Sequence, residues 1–146
     1  MKLKSKDFED NKTIPIKFTC DGDDVSPQMY WEDVPNRTQS FALSVEDPDA
    51  PMGTFIHWLV YDIPRGTTSF DQGNVPREAK QVTNDFDKED YGGPCPPSGT
   101  HRYIFTIYAL DVEHLRDVTG KNFFRFVKEH TIDKAKLTGL YKRSGK

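Results

Sequence analysis

Apolar and polar residues alternate over short stretches of this chain, and the alternation is broken often by glycine and proline. From Thr13 to Thr19, Ile14, Ile16 and Phe18 fall on one face, the pattern of a half-buried strand. Met29-Tyr30-Trp31 predicts a short apolar strand closed by Val34-Pro35-Asn36. Residues 39–46 alternate again, and 55–63 are nearly continuously apolar up to Ile63-Pro64. Tyr103 to Leu110 is the strongest central strand, rich in the aromatic and β-branched residues that suit a pleated surface. Residues 2–12 are polar around isolated Leu3 and Phe8, as in an edge strand or a tethered arm.

Helical spacing appears only late. Phe123, Phe124 and Val127 predict a helix over Asn122 to Glu129, and Ile132, Ala135 and Leu137 continue as a second short turn or helix. Gly139 breaks it, and Leu140-Tyr141 can close as a final strand. Between the strands lies an irregular centre, residues 64–100, punctuated by Gly66, Gly73, Pro76, Gly92, Gly93, Pro94, Pro96, Pro97 and Gly99. So long a segment in a compact domain is either functional or disordered. The aromatics Phe86 and Tyr91 favour an ordered, packed loop. Many short strands with minor helices read as an all-β sandwich or a related layered architecture.

At 146 residues the chain predicts one domain, 1–146, large enough for a real core. Net charge is −3, which does not point to nucleic acid. The charge is unevenly placed: residues 121–146 hold eight Lys or Arg against Glu129 and Asp133. Such a split guides a partner or merely solvates a terminal segment, and the solvated face is the expectation. No run is long enough to span a bilayer and no signal peptide is visible, which predicts a cytoplasmic protein without stable membrane insertion. The two cysteines, Cys20 and Cys95, have no metal-motif spacing. Reduced thiols are the default for them, with a single bridge between their two loops as the alternative.

The candidate chemistry centres on Val45-Glu46-Asp47-Pro48-Asp49-Ala50-Pro51, followed by His57. Two carboxylates, each close to a proline, cannot sit inside a helix or a sheet, so they mark a stiff acidic loop between two strands. On residue type alone, Asp47 and Asp49 read as turn caps. By strict alternation His57 shares a face with Phe55 and Leu59, as a buried histidine satisfied by a carboxylate would. His101 reads as a loop residue, and Tyr103 as core with its hydroxyl at the rim.

Taken together, Asp47 to Pro51, His57-Trp58 and Tyr91-Gly92-Gly93-Pro94-Cys95-Pro96-Pro97-Ser98-Gly99-Thr100-His101-Arg102-Tyr103 resemble the phosphatidylethanolamine-binding protein family, in its short bacterial and archaeal branch. Phe18 to Gly22 with Ser26-Pro27, and the ending Ala135 to Arg143, extend the resemblance across nearly the whole chain. It implies a large antiparallel sheet packed on a smaller one in Greek-key order, with peripheral helices. It also implies one small cavity that takes phosphate or a phosphoethanolamine-like headgroup, lined at Asp47, Asp49, His57, Gly93, Pro94, His101 and Tyr103, with no cofactor, no metal and no catalysis. Within that set Asp47 is expected to face the cavity and Asp49 to brace the loop, with Arg102 pairing to an acidic loop residue behind it. Cis X-Pro bonds are expected around the acidic loop.

Inhibitors of proteases and kinases in the family raise a protein partner as the alternative, and short-branch relatives suggest a homodimer, for which Phe70, Phe86 or Tyr141 could supply exposed aromatics. Ile56 stands where animal members carry a second histidine, and the chain ends shortly after Leu137, without their extended helix. Gln28-Met29 replaces the proline and leucine often found there in the short branch. Kinase regulation and lipid preference therefore do not transfer. An enzymatic reading would need two histidines and a carboxylate on a metal, or a Cys95 thiolate beside His101.

Overall fold

The computed structural model describes residues 1–144. Its strands are β1 (Lys2–Lys4), β2 (Lys12–Thr13), β3 (Met29–Glu32), β4 (Ser40–Asp47), β5 (Phe55–Pro64), β6 (Ser69–Phe70), β7 (Lys80–Gln81), β8 (His101–Leu110) and β9 (Thr131–Tyr141), with one α-helix, α1 (Phe123–His130). A six-stranded sheet runs β2-β9-β8-β4-β5-β7, and a three-stranded sheet runs β1-β3-β6. The order β8-β4-β5-β7 is that of a Greek key, in which the last strand returns to lie beside the first. Pairing is antiparallel apart from β2, which runs parallel to β9.

Alternation along the central strands sorts side chains to two faces. Phe41, Leu43 and Val45 of β4 join Trp58, Val60, Phe105 and Ile107 in the core between the sheets, where Trp31 and Phe70 of the small sheet meet them. Trp31 packs edge-on against Phe41 and Phe70, with centroids 5.4 and 5.6 Å apart. The opposite face carries Ala42, Leu59, Tyr61 and Leu110, covered by Phe123 and Val127 of α1 and by Leu115. Burial on both faces explains why β5 reads as a nearly continuous apolar run.

Several elements differ from the pattern-based reading. The strand expected from Thr13 to Thr19 stops at Thr13, because Pro15 has no N–H for a ladder and the chain turns into a 3₁₀ helix at Ile16–Phe18. Ile14 and Phe18 are buried, but Ile16 faces solvent. The second helix expected around Ile132 to Leu137 is strand β9. Ala135 and Leu137 pair with Ile107 and Phe105, so period-two burial against β8 overrides the local spacing. Gly139 does not break this strand. It lies opposite Tyr103, and a Cβ there would come within 2.4 Å of Ile14 Cγ1.

The expected cis X-Pro bonds are absent among the described residues. Phe70 and Tyr141 are core residues and Phe86 is part-buried against His57, so none is a free interface aromatic. The cysteines are not free thiols: Cys20 and Cys95 form a disulfide that joins positions 75 residues apart. The Cys20 N–H also donates to Pro94 O at 3.1 Å, so two bonds fasten the loop before β8 to the turn after Phe18.

Among the described residues no helix is long and apolar enough to cross a membrane. Closing a loop of this size restricts the unfolded chain, so reduction, or Cys20→Ser, is expected to lower stability by about 2–4 kcal/mol. Urea unfolding with and without reductant measures the difference.

Candidate functional site

Three strand ends converge at one edge of the large sheet. β4 ends at Asp47, opposite Phe55 at the start of β5, while Glu46 pairs with Ile104 near the start of β8. His101 and Tyr103, two residues apart on β8, therefore share a face beside Asp47. His57 arrives there through an irregularity. Val45 pairs with Trp58 and Glu46 with Ile56, which leaves His57 as the extra residue of a β-bulge. Ile56 and Leu59 thus pack on the helix side, and His57 turns the other way. Strict alternation, which places His57 with Leu59, fails at this point.

The imidazole of His57 is 3% exposed and enclosed edge-to-face by Phe55, Phe86 and Tyr103, with centroids 5.1 to 5.2 Å away. Its Nδ1 donates to Gly92 O at 2.7 Å, and the Gly92 N–H donates back to His57 O at 3.1 Å. So close an approach needs glycine at position 92, where a Cβ would meet the Phe86 ring at 2.3 Å. Burial pushes the His57 pKa down, opposed by the Gly92 carbonyl and by the charges of Asp47 and Asp24.

Asp47 uses both oxygens within the protein. Oδ1 accepts from the Asp49 N–H at 2.8 Å, an Asx turn, and Oδ2 accepts from His101 Nδ1 at 2.6 Å. Turn cap and histidine partner are therefore one residue. The Tyr103 ring stacks on His101, with centroids 6.4 Å apart, and is 1% exposed. Its hydroxyl feels the Asp47 carboxylate but makes no hydrogen bond of good geometry. Burial first, and then the charges of Asp47 and Asp49, push its pKa well up.

These four side chains line a single cavity of about 500 Å³. Its remaining wall comes from Pro51 and Met52 of the acidic loop, from Phe55, from Asp85 and Phe86, and from Cys95, Pro96 and Pro97. Asp85 and Phe86 carry no sequence signal as wall residues, because they sit in the irregular centre. Buried Asn84 places them: its amide donates to His57 O and Asp90 O at 2.8 Å each, and its Oδ1 accepts from Phe86 N at 2.9 Å.

The sequence pattern of the phosphatidylethanolamine-binding protein family matches residues 4–142. The chain belongs to this family. The UPF0098 protein of Aquifex aeolicus is 46% identical over 98% of this chain and 89% of its own length. A homologue of the same family from Chlamydia trachomatis, CT736, superposes with a TM-score of 0.92 at 35% identity, covering 98% of this chain and 97% of that one. Escherichia coli YbcL, described as a new member of the mammalian family, gives a TM-score of 0.92 at 29% identity, covering 98% of each chain.

In this phosphatidylethanolamine-binding protein family member, three of the expected site residues lie outside the cavity lining. The Gly93 N–H donates to Asp24 Oδ1 at 2.8 Å, and Pro94 O accepts from Cys20, so both serve the loop's attachment. Asp49 faces away and binds Arg102 in a fork, with Nε to Oδ2 at 2.9 Å and an Nη to Oδ1 at 2.8 Å. The Arg102 backbone N–H adds a third bond at 2.9 Å. Cys95, bonded to Cys20, has no thiol to offer His101. Among the described residues no cluster of three or more His, Cys, Asp or Glu side chains could hold a metal ion.

The guanidinium hydrogen bonds hold Asp49 at a pKa of about 2, against an ordinary 3.8. A depressed carboxyl pKa contributes stability above the ordinary value and loses it as pH falls towards the folded one. Carboxyl NMR titration is therefore expected to show Asp49 protonating near the lower value, with loop contacts weakening across that window. In Arg102→Met it should return to the ordinary carboxylate range.

Proposed function

We propose that this chain binds a small anionic ligand, phosphate or a phosphoryl-headgroup-like group, without transforming it. The Tyr103 hydroxyl is the observation that carries this reading. It is buried in the cavity wall beside the Asp47 carboxylate without a hydrogen bond of good geometry, and a buried polar group in that state calls for a ligand or water. Both histidines have their Nδ1 committed inside the protein, which leaves each Nε2 as the edge available to an incoming group.

The presence of Asp47 in such a site has a physical account. Each of its oxygens already accepts a hydrogen bond from within the protein, from the Asp49 N–H and from His101 Nδ1, which offsets its charge at the cavity. Among the described residues no lysine or arginine lines the cavity, so a ligand there meets the two histidine rings and Tyr103.

A protein partner reached through the same cavity, as in an inhibitor, is the second reading. It is favoured by Met52, 99% exposed at the rim, an apolar contact that a bare phosphate would not use.

Calorimetric titration with phosphate and phosphoethanolamine is expected to show one site in the wild type. His101→Ala should weaken it by about ten-fold or more, the usual worth of a hydrogen bond to a charged group. An unchanged affinity in that variant would place the anion elsewhere.

A further inference from the structure

The hydrogen-bond polarity of the cavity is set by what lies behind it. A carbonyl oxygen only accepts, so the 2.7 Å contact with Gly92 O fixes the His57 proton on Nδ1. In the neutral ring, Nε2 is then a lone pair, able to accept and unable to donate. Burial among three aromatic rings favours that neutral form.

The charged and titratable groups around this ring come from every side. They are Asp47 at the end of β4, His101 and Tyr103 at the start of β8, Asp24 from the turn after Phe18, and Asp85 on the wall beside Phe86. Lysine and arginine are missing from this set, so no fixed cation there compensates a bare anionic oxygen facing His57.

We infer that the cavity discriminates by proton content: it takes an anion that brings its own O–H or N–H donor to His57 Nε2 and disfavours one that has only bare oxygens. This rests on the anion-binding reading above and narrows it. A singly protonated phosphate monoester qualifies through its P–OH. The phosphodiester of an intact lipid has no such proton and must use an amine on its headgroup. A sulfate ester has neither.

Methyl phosphate and methyl sulfate test the idea directly. At about pH 5.5 methyl phosphate is mostly a monoanion, since its second pKa is about 6. It then matches methyl sulfate in charge and shape and differs by the one proton. Calorimetry on the wild-type protein is expected to show methyl phosphate binding about ten-fold tighter, an advantage comparable to satisfying one buried acceptor. That advantage should shrink by about pH 7.5, where the proton is gone. Dimethyl phosphate, a diester without an amine, should bind as weakly as methyl sulfate. Phosphoethanolamine, whose ammonium persists, should keep its affinity across the same range.

In His57→Gln the side-chain amide can turn an N–H to the ligand, so the preference for methyl phosphate over methyl sulfate should disappear. The nitrogen NMR resonance of His57 Nε2 in the free protein reads the lone pair without any ligand. Equal binding of the two methyl esters at the lower pH, or a protonated Nε2 in the free protein, overturns the inference and leaves anion binding standing. Binding of none of these ligands removes the anion-binding reading, and the inference with it.

Discussion

In an antiparallel sheet the C-terminal end of a strand lies beside the N-terminal ends of both its neighbours. β4 is paired in this way to β5 on one side and β8 on the other. The cavity is a direct result, because whatever residues end β4 and begin β5 and β8 must meet. Asp47 and His101, 54 residues apart, are brought within hydrogen-bond reach by this pairing, and His57 joins them through the bulge in β5. The aromatic core between the two sheets fixes that pairing, since a one-residue slip would turn Phe41, Leu43 and Val45 out of it.

Around this frame, the irregular residues 64–100 are held by specific bonds. Gly92 exchanges two hydrogen bonds with His57, Gly93 is held by Asp24, Pro94 by Cys20, and Cys95 by the disulfide. Asn84 secures the preceding turn through four hydrogen bonds. The segment therefore behaves as wall rather than linker. The Asp49–Arg102 fork does the same for the acidic loop, tying it to the first turn of β8 from outside the cavity.

Much of this was legible in the chain. Strands β4, β5 and β8 and helix α1 follow from apolar periodicity and proline placement, and the meeting of Asp47 with both histidines is what the family resemblance of the motifs implies. That Arg102 pairs with an acidic loop residue follows from the chemistry of a guanidinium beside such a loop, and the structure identifies that residue as Asp49. What escaped depends on long-range contacts. The apolar spacing of β9 is helical on its own, and only the pairing with β8 makes it a strand. Ile16 fits the alternating pattern of a buried strand face, but Pro15 cannot donate to a ladder and the chain turns there into a 3₁₀ helix that leaves Ile16 in solvent. The Cys20–Cys95 bridge needs two loops to lie 5.4 Å apart at Cα, which no local pattern encodes. Asp85 and Phe86 gained their place only through Asn84.

The bulge at His57 carries a lesson about length. Trp58 and Val60 belong to one packing surface and Ile56 and Leu59 to the other, and the imidazole reaches the cavity only because one residue more than the ladder requires is fitted between them. Removing a single position there would restore a regular ladder and leave no room in it for the imidazole beside Asp47, even with every remaining amino acid unchanged. At this edge the count of residues between the core tryptophan and the acidic loop decides what lines the cavity as much as their identity does.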